Sequence, residues 1–504
     1  MDKFDVVVIG GGITGATAAN ALSSAGYKTL LLEGKDFGSG TTSRTSRLQY
    51  CGLAYLSGFE NIKAIASRPI QFLERVQLAR RSMVERSTFA RASRHRLQDV
   101  VFYLPIYDKD IVTPWKMRAG FAALENLDPN GTGIDYRYLD QRAARDVPIL
   151  NRSTARGELV GAIRYVEYQY DWPERICVDA VLEAENMGAQ VLNYSPVRSI
   201  VRQRDGWTVT YQEKRGGNLA TVEGKAILNA AGPWVDQVAR AAALDVPGLN
   251  QSEKGTNIAL RLPDEFRGMG LQTFARNGAP FYVIPWGSLH YVGPVNKLIE
   301  ASPDGFIAQE DEIASLLEEL RVLFPRIPFE RQDVIYSWAG VRPRTKAPSG
   351  TGGAGLQLHK PEATGLPGYY VYTGGLLMMK SHMGREIVKG IGEGLRPGGA
   401  PQGSPTDLGR SSAGIAAGDS IYSSDGLVVT MAEIQKATQQ EHVHSLEDVM
   451  LRRTKLGWNA TLGDDTVEAV AQAIRDTAGW TQEEMQNQIT AYRNMIRTSF
   501  KYQA

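Results

Sequence analysis

"DVVVIGGGITGATAANALSSAGYKTLLLEG", residues 5–34, decides the fold. Val6-Val7-Val8-Ile9 is a continuous apolar run of the kind that forms a buried parallel strand. Gly10-Gly11-Gly12-Ile13-Thr14-Gly15 follows, then an alanine-rich, helix-forming stretch up to Gly26. A second strand reads from Tyr27 to Leu32 and ends at Glu33. Each part has a job in holding a dinucleotide. Gly10 permits the tight turn, Gly12 lets the backbone approach a pyrophosphate, and Gly15 lets the helix pack closely on the strand. The pyrophosphate sits on free N–H groups at the helix N-terminus. Glu33 lies 18 residues beyond Gly15, where an acid accepts from the ribose hydroxyls. The same glycine spacing recurs at Gly350–Gly355, but it follows Pro348-Ser349 and no helix pattern follows it. That copy reads as a loop.

At 504 residues the chain is too long for one hydrophobic core, and two or three domains are expected. Apolar content of 43% and charged content of 22% are ordinary for a globular protein, and a net charge of +1 gives no reason to expect nucleic acid. Two distant cysteines, Cys51 and Cys177, argue for a reducing compartment and against a disulfide framework. Six scattered histidines show no metal-ligand spacing, so no metal is expected. The N-terminal apolar run is too short for a signal peptide, no stretch is long enough to span a membrane, and a cytoplasmic location is expected.

After Glu33 comes a run of small donors: Gly38, Ser39, Gly40, Thr41, Thr42, Ser43, Thr45 and Ser46. Such a loop can wrap a second face of an extended cofactor, or be a solvated surface loop. In "KAILNAAGPWVD", residues 225–236, an apolar strand ends in Ala230-Ala231-Gly232, where small residues admit a close approach. These segments, with Gly52-Leu53 and Tyr55, "YVIPW" at 282–286, "GVRP" at 340–343 and "HSLEDVMLRRTKLGW" at 444–458, occur in one order. Together the chain resembles the FAD-dependent glycerol-3-phosphate dehydrogenases, within the D-amino-acid-oxidase-like flavoprotein group.

The resemblance implies an α/β fold: a discontinuous Rossmann-type FAD-binding domain, an antiparallel-sheet substrate domain and a C-terminal helical domain. The implied boundaries are 1–60, 150–245 and 330–395 for the FAD domain, and 61–149 and 246–329 for the substrate domain. A Gly/Pro/Ser-rich linker follows at 396–420, then the helical domain at 421–504, with Thr481 ahead of Glu484 as a capping signal. It also implies non-covalent FAD, held by Gly10, Gly12, Ile13, Thr14, Gly15, Glu33, Gly34, Thr41, Thr42, Ser43, Ser46, Arg47 and Leu48. Further contacts are implied at Val197, Ala231, Gly232, Arg342, Gly374, Gly375, Leu376 and Leu377.

A flavin dehydrogenase must hold its substrate carbon near the flavin and fix the charge of the far end. Arg342 suits that task, since its rigid fork matches a phosphate or carboxylate. Tyr55, Asn257, Lys254 and His382 are the other candidate catalytic residues, with Tyr282, His290, Arg344, Lys346 and Lys380 near them in the motifs. The motifs depart from the resembled family at four places. Ala54 stands where that family carries arginine, Leu376 where it carries lysine, and Asn257 where it carries histidine. Gly293-Pro294-Val295-Asn296 replaces a Gly-Thr-Thr-Asp pattern. Losing two cationic contacts to a dianion costs several kcal/mol at about 1.5–3 kcal/mol each, so glycerol 3-phosphate is not the expected preferred substrate.

The expected function is oxidation of a CH–OH group of a polyol or polyol-phosphate-like substrate by hydride transfer to flavin. An amine, amino-acid or hydroxy-acid oxidase is the alternative enzyme, and a non-catalytic flavin-binding sensor or assembly protein is an alternative of another class. Oxygen or quinone would take the electrons. The segment Arg68–Arg96 holds eight arginines and two glutamates, with Phe72, Val76, Ala79 and Met83 on one helical face. It reads equally as a solvated helix packed on the core or as a peripheral membrane contact on the inner face.

Overall fold

The apolar run lies within a strand, Lys3–Ile9, buried from Phe4 to Ile9. Parallel partners flank it on both sides: Thr29–Leu32, with Val6 opposite Thr29, and Leu219–Asn229, with Val6 opposite Ala226. Gln190–Leu192 and Tyr369–Thr373 extend the parallel pairing, and Gln357–His359 closes one edge antiparallel. The strands of this sheet come from three separate parts of the chain. The structure is a computed structural model describing residues 1–56, 66–108, 113–153, 157–214, 217–300, 302–305, 307–346, 355–403, 420–424 and 427–503.

A parallel strand buried on both faces needs helices over it. The helix Ile13–Ser24 is buried along its whole length, packed by Pro173–Asn186 and by Lys380–Gly392. Close packing is possible because Gly384 presents no Cβ to Ala21 and Thr17, which would lie 3.2 and 3.3 Å from one.

The second sheet has nine strands and is antiparallel except where Met269–Leu271 runs parallel to Val101–Tyr103. Its order is Val334–Thr345, Asn250–Leu260, Leu289–Ile299, Pro280–Trp286, Met269–Phe274, Leu97–Tyr107, Leu159–Tyr170 and Leu48–Gln49, with Arg137–Asp140 paired to Leu159–Tyr170. The arginine-rich segment forms the helix Pro69–Ala92, whose Ala79 and Met83 are buried while Phe72 and Val76 are half-buried.

At the C-terminus, helices Met431–Gln440, Val467–Ala478 and Gln482–Ser499 assemble, and Thr481 caps the last with a reciprocal Glu484 bond. Their core continues into the second sheet. Trp338 packs on Trp458 at 5.9 Å between ring centroids, and Trp458 on Phe500 at 5.5 Å. Residues 404–419 of the anticipated linker, and all but Gly355 of the second glycine run, lie outside the described residues.

His290, on the Leu289–Ile299 strand, is a buried ring whose Nε2 lies 3.1 Å from the Phe266 carbonyl. Burial pulls it from 6.5 down to about 4. Between those values the unfolded chain binds a proton that the folded one does not, so stability falls as pH drops from 6.5 toward 4. Denaturant midpoints of wild type and His290→Gln should therefore converge or cross as pH falls through that window. Parallel pH profiles would refute the assignment.

Candidate functional site

A cavity of about 980 Å³ runs from the carboxyl end of the parallel sheet to the face of the antiparallel one. At one end Gly10 adopts φ +105°, and a Cβ there would lie 2.8 Å from the Ala230 carbonyl. A Cβ on Gly15 would overlap the Gly10 carbonyl, so Gly15 serves helix packing and does not line the cavity. Gly12 is the helix N-cap, in extended backbone and with no capping side chain. Thr42 Oγ1 accepts from the Ile13 amide at 3.0 Å. The first-turn amides point along the helix axis toward the cavity, where an anion is favoured.

Glu33 lines the same channel. Its Oε2 accepts from the Gly11 amide at 2.6 Å and its Oε1 from the Lys35 amide at 2.7 Å. Burial raises its carboxyl above the ordinary value, with the two amides opposing. Each oxygen keeps a further lone pair for a ribose hydroxyl. Gly34, Val197, Ala231 and Gly232 line this end, while Thr14, Gly374, Gly375, Leu376 and Leu377 line the channel where the two halves of the chain meet. A Cβ on Gly375 would overlap Thr14 Oγ1. Thr41, Ser46 and Leu48 also line it.

Two anticipated cofactor contacts point elsewhere. Ser43 donates its hydroxyl to the Gly38 carbonyl within its own loop. Arg47, at φ +57°, pairs with buried Glu174 of the Pro173–Asn186 helix at 2.8 Å and stacks on the Trp458 ring of the C-terminal domain at 3.8 Å, so its charge is taken up by packing and not by the cavity.

The other end is built on the antiparallel sheet, where alternation decides which side chains face in. Glu253, Gly255 and Asn257 line the cavity, and Arg342 sits opposite Glu253 in the ladder. The Arg342 guanidinium lies over Gly255: a Cβ there would be 2.9 Å from Nη2 and 3.2 Å from Asn296 Oδ1. Glu253 lies 3.6 Å from Arg342 and 3.1 Å from Arg344. Tyr50, Tyr55 and Tyr282 complete the wall, with Tyr50 and Tyr282 rings 5.7 Å apart and Tyr50 OH 2.8 Å from Ser46 Oγ. Burial raises all three phenols, so they stay protonated. Arg75, from the Pro69–Ala92 helix, also reaches the cavity.

Lys254 and His382 are not brought to this site. One position along the strand from Glu253, Lys254 faces the opposite way, and its ammonium binds buried Glu312 at 2.8 and 2.9 Å. His382 sits in the first turn of Lys380–Gly392, its amide donating to Glu85, and does not line the cavity. Lys380 is buried over the Phe89 ring, and burial pulls it down to about 8. Ala54 lies in the short helical turn Leu53–Leu56. Sequence reasoning missed Glu253, Tyr50 and Arg75. Glu253 shares its face with Asn257 by simple alternation, so the signal was present; Arg75 depends on how a helix docks.

A family model described as FAD dependent oxidoreductase matches residues 5–388, and one described as the C-terminal domain of alpha-glycerophosphate oxidase matches residues 419–485. The chain is 27% identical over an alignment of 550 positions to a glycerol-3-phosphate dehydrogenase of Synechocystis sp., covering 98% of this chain and 96% of that protein. It is 29% identical over 343 residues to the D-erythritol 1-phosphate dehydrogenase of Brucella abortus, covering 67% of this chain and 63% of that protein. The solved glycerol-3-phosphate dehydrogenase from Bacillus halodurans complexed with FAD has a TM-score of 0.72 at 20% identity, covering 99% of this chain and 95% of that one.

Gly12→Ala separates cofactor binding from folding. Its Cβ would be 3.4 Å from Thr42 Oγ1, an ordinary contact, yet it would fill the approach to a pyrophosphate. FAD affinity should fall by at least roughly tenfold while the apoprotein unfolds at an unchanged temperature. Flavin titration and apoprotein melting read the two separately, and unchanged affinity would remove Gly12 from the cradle.

Proposed function

The chain belongs to the FAD-dependent oxidoreductases, and we propose that it oxidises a CH–OH group of a polyol or polyol-phosphate-like substrate. The observation that carries this reading is Arg342 held over Gly255, beside two amides and three protonated phenols, at the far end of a dinucleotide channel. The residues fit FAD. Gly12, whose Cβ position is open but for Thr42 Oγ1 at 3.4 Å, and the helix start offer amides to the pyrophosphate, and Glu33 keeps lone pairs for the ribose.

Bound FAD supplies the acceptor for the hydride that leaves the carbinol carbon. The protein's own groups do the rest. Arg342 grips the anionic or polar end of the substrate and fixes its register. Tyr50, Tyr55 and Tyr282 donate hydrogen bonds to substrate oxygens, since burial keeps their protons on. Among the described residues no histidine lines the cavity. On the sheet wall the carboxylate that faces the substrate space is Glu253, between Arg342 and Arg344. The same carboxylate supports a second reading: facing Arg342, it would pair with the ammonium of an amino acid whose carboxylate Arg342 holds.

Anaerobic bleaching of the flavin's visible absorbance distinguishes these. A polyol phosphate other than glycerol 3-phosphate, or a free polyol, should bleach it faster than glycerol 3-phosphate does. Bleaching by amino acids alone would favour the second reading, and glycerol 3-phosphate as the best donor would overturn the expectation drawn from Ala54, Leu376 and Asn257. Arg342→Ala should lower the apparent second-order rate about 10–150-fold, the equivalent of a charge-assisted bond of about 1.5–3 kcal/mol. The electrons would then pass to oxygen or quinone, which the reoxidation rate with each acceptor separates.

We also propose a cytoplasmic location with peripheral membrane contact. Ile70 and Leu73 at the start of one helix, and Trp115 at the start of Pro114–Glu125, are exposed, with Arg80, Lys116 and Arg118 on the same helices. Among the described residues no helix is long and apolar enough to cross a membrane. The protein should co-sediment with anionic vesicles, and Ile70→Ser with Trp115→Ser should abolish it. A wild-type protein that stays in the supernatant would sink this contact.

A further inference from the structure

Residues 33–47 carry Glu33, the Ser39–Thr42 turn and Arg44, all on the cavity, yet the segment is held from another domain. Asp36, three residues after Glu33, is fully buried. Arg453 donates to both its oxygens, at 2.8 and 2.9 Å, and Arg452 Nε and Asn193 Nδ2 donate as well. Burial alone would raise this carboxyl, but Arg453 and Arg452 hold it well below the ordinary range. Both arginines are tied into the C-terminal domain: Arg452 to Glu447 and Asp448, and Arg453 to the Glu441 carbonyl.

From Asp36 the constraint reaches the cofactor cradle through its neighbours. The Phe37 ring occupies the space beside Gly11, 2.7 Å from where a Cβ would be, and the Gly38 amide donates to the Gly11 carbonyl at 2.9 Å. Gly11 in turn donates its amide to Glu33. The other end of the segment is gripped too. Arg44 lies over the Phe500 ring at 4.5 Å and Arg47 over Trp458 at 3.8 Å.

We propose that the C-terminal domain is a working part of the cofactor site: Arg452 and Arg453, by fixing Asp36, position Gly11 and Glu33, so FAD binding is coupled to docking of residues 441–458. None of residues 441–458 lines the cavity of about 980 Å³, and neither does Asp36; Asp36, Glu447 and Arg452 border a smaller one of about 450 Å³ that adjoins it at Gly34, Lys35 and Ser39. They are positioning residues, acting through the loop. Bidentate charge-assisted bonding suits that role, because it fixes direction as well as distance. The coupling is reciprocal: whatever docking does for FAD affinity, FAD does for docking.

Two measurements test this. Arg453→Met should raise the FAD dissociation constant of the apoprotein by at least roughly tenfold. The comparison is Ile474→Ala, a fully buried residue on the Val467–Ala478 helix of the same domain. Its FAD affinity should stay within about twofold of wild type at a matched loss of thermal midpoint. Equal losses of affinity in both variants, or none in Arg453→Met, would overturn the proposal. If Arg453→Met does not fold, hydrogen exchange on the wild-type protein decides. FAD should slow exchange in residues 441–458 as well as in 10–15 and 33–46, and unchanged exchange in 441–458 would overturn it.

Discussion

Gly15 meets the carbonyl of Gly10 with no room for a Cβ between them, and the rest of the cofactor site is arranged around that contact. It brings the helix Ile13–Ser24 down onto the central strand Lys3–Ile9, and thereby places the helix start, whose N-cap is a glycine, at the strand's carboxyl end. The turn needs φ +105° at Gly10, a conformation that glycine adopts without the penalty a Cβ would bring. Once the helix start is fixed, the loop after the second strand must approach it. Thr42 caps the Ile13 amide and Glu33 binds the Gly11 amide, so the loop and the glycine turn support one another.

The second wall obeys a different rule. Along Asn250–Leu260 the period is two, and the cavity receives Glu253, Gly255 and Asn257 while Lys254 and Thr256 bind Glu312 on the other side. Gly255 matters for what it lacks, since the Arg342 guanidinium occupies the space its side chain would fill. Charge on this wall is partly self-compensated, with Glu253 between two arginines. A substrate anion would therefore compete with a carboxylate already in place. To displace it, such an anion would have to bind Arg342 better than Glu253 does.

Much of the fold was legible because its signals are local. The apolar run, the glycines, the alanine-rich helix and Glu33 occur in an order that few other structures produce, and Thr481 with Glu484 marks a helix start by itself. The substrate end was legible only in part. Arg342, Tyr55 and Asn257 meet in the cavity from strands and a turn far apart in sequence. Lys254 stood out in a motif, but a motif does not say which face a strand residue takes. Arg47 looked like a cofactor contact because it closes a donor-rich loop; its partners, Glu174 and Trp458, are 127 and 411 residues away, and no local pattern predicts them.

The long-range ties share a chemistry that bears on why they are there. Arg47–Glu174, Asp36 with Arg452 and Arg453, and Arg175 between Asp179 and Glu441 are all buried ion pairs. Such pairs are weak sources of net stability, since desolvation offsets most of the attraction, whereas removing one partner costs about 3–5 kcal/mol. Apolar packing could join the same surfaces and would tolerate small slips. A fork of guanidinium donors on a carboxylate does not tolerate them, because each bond needs its angle. The positions at stake are the Gly11 and Lys35 amides on Glu33, at 2.6 and 2.7 Å, and a shift of the loop by an ångström would break those bonds. Ion pairs at this junction therefore serve register, and the aromatic rings of Trp458 and Phe500 supply the burial that the charges do not.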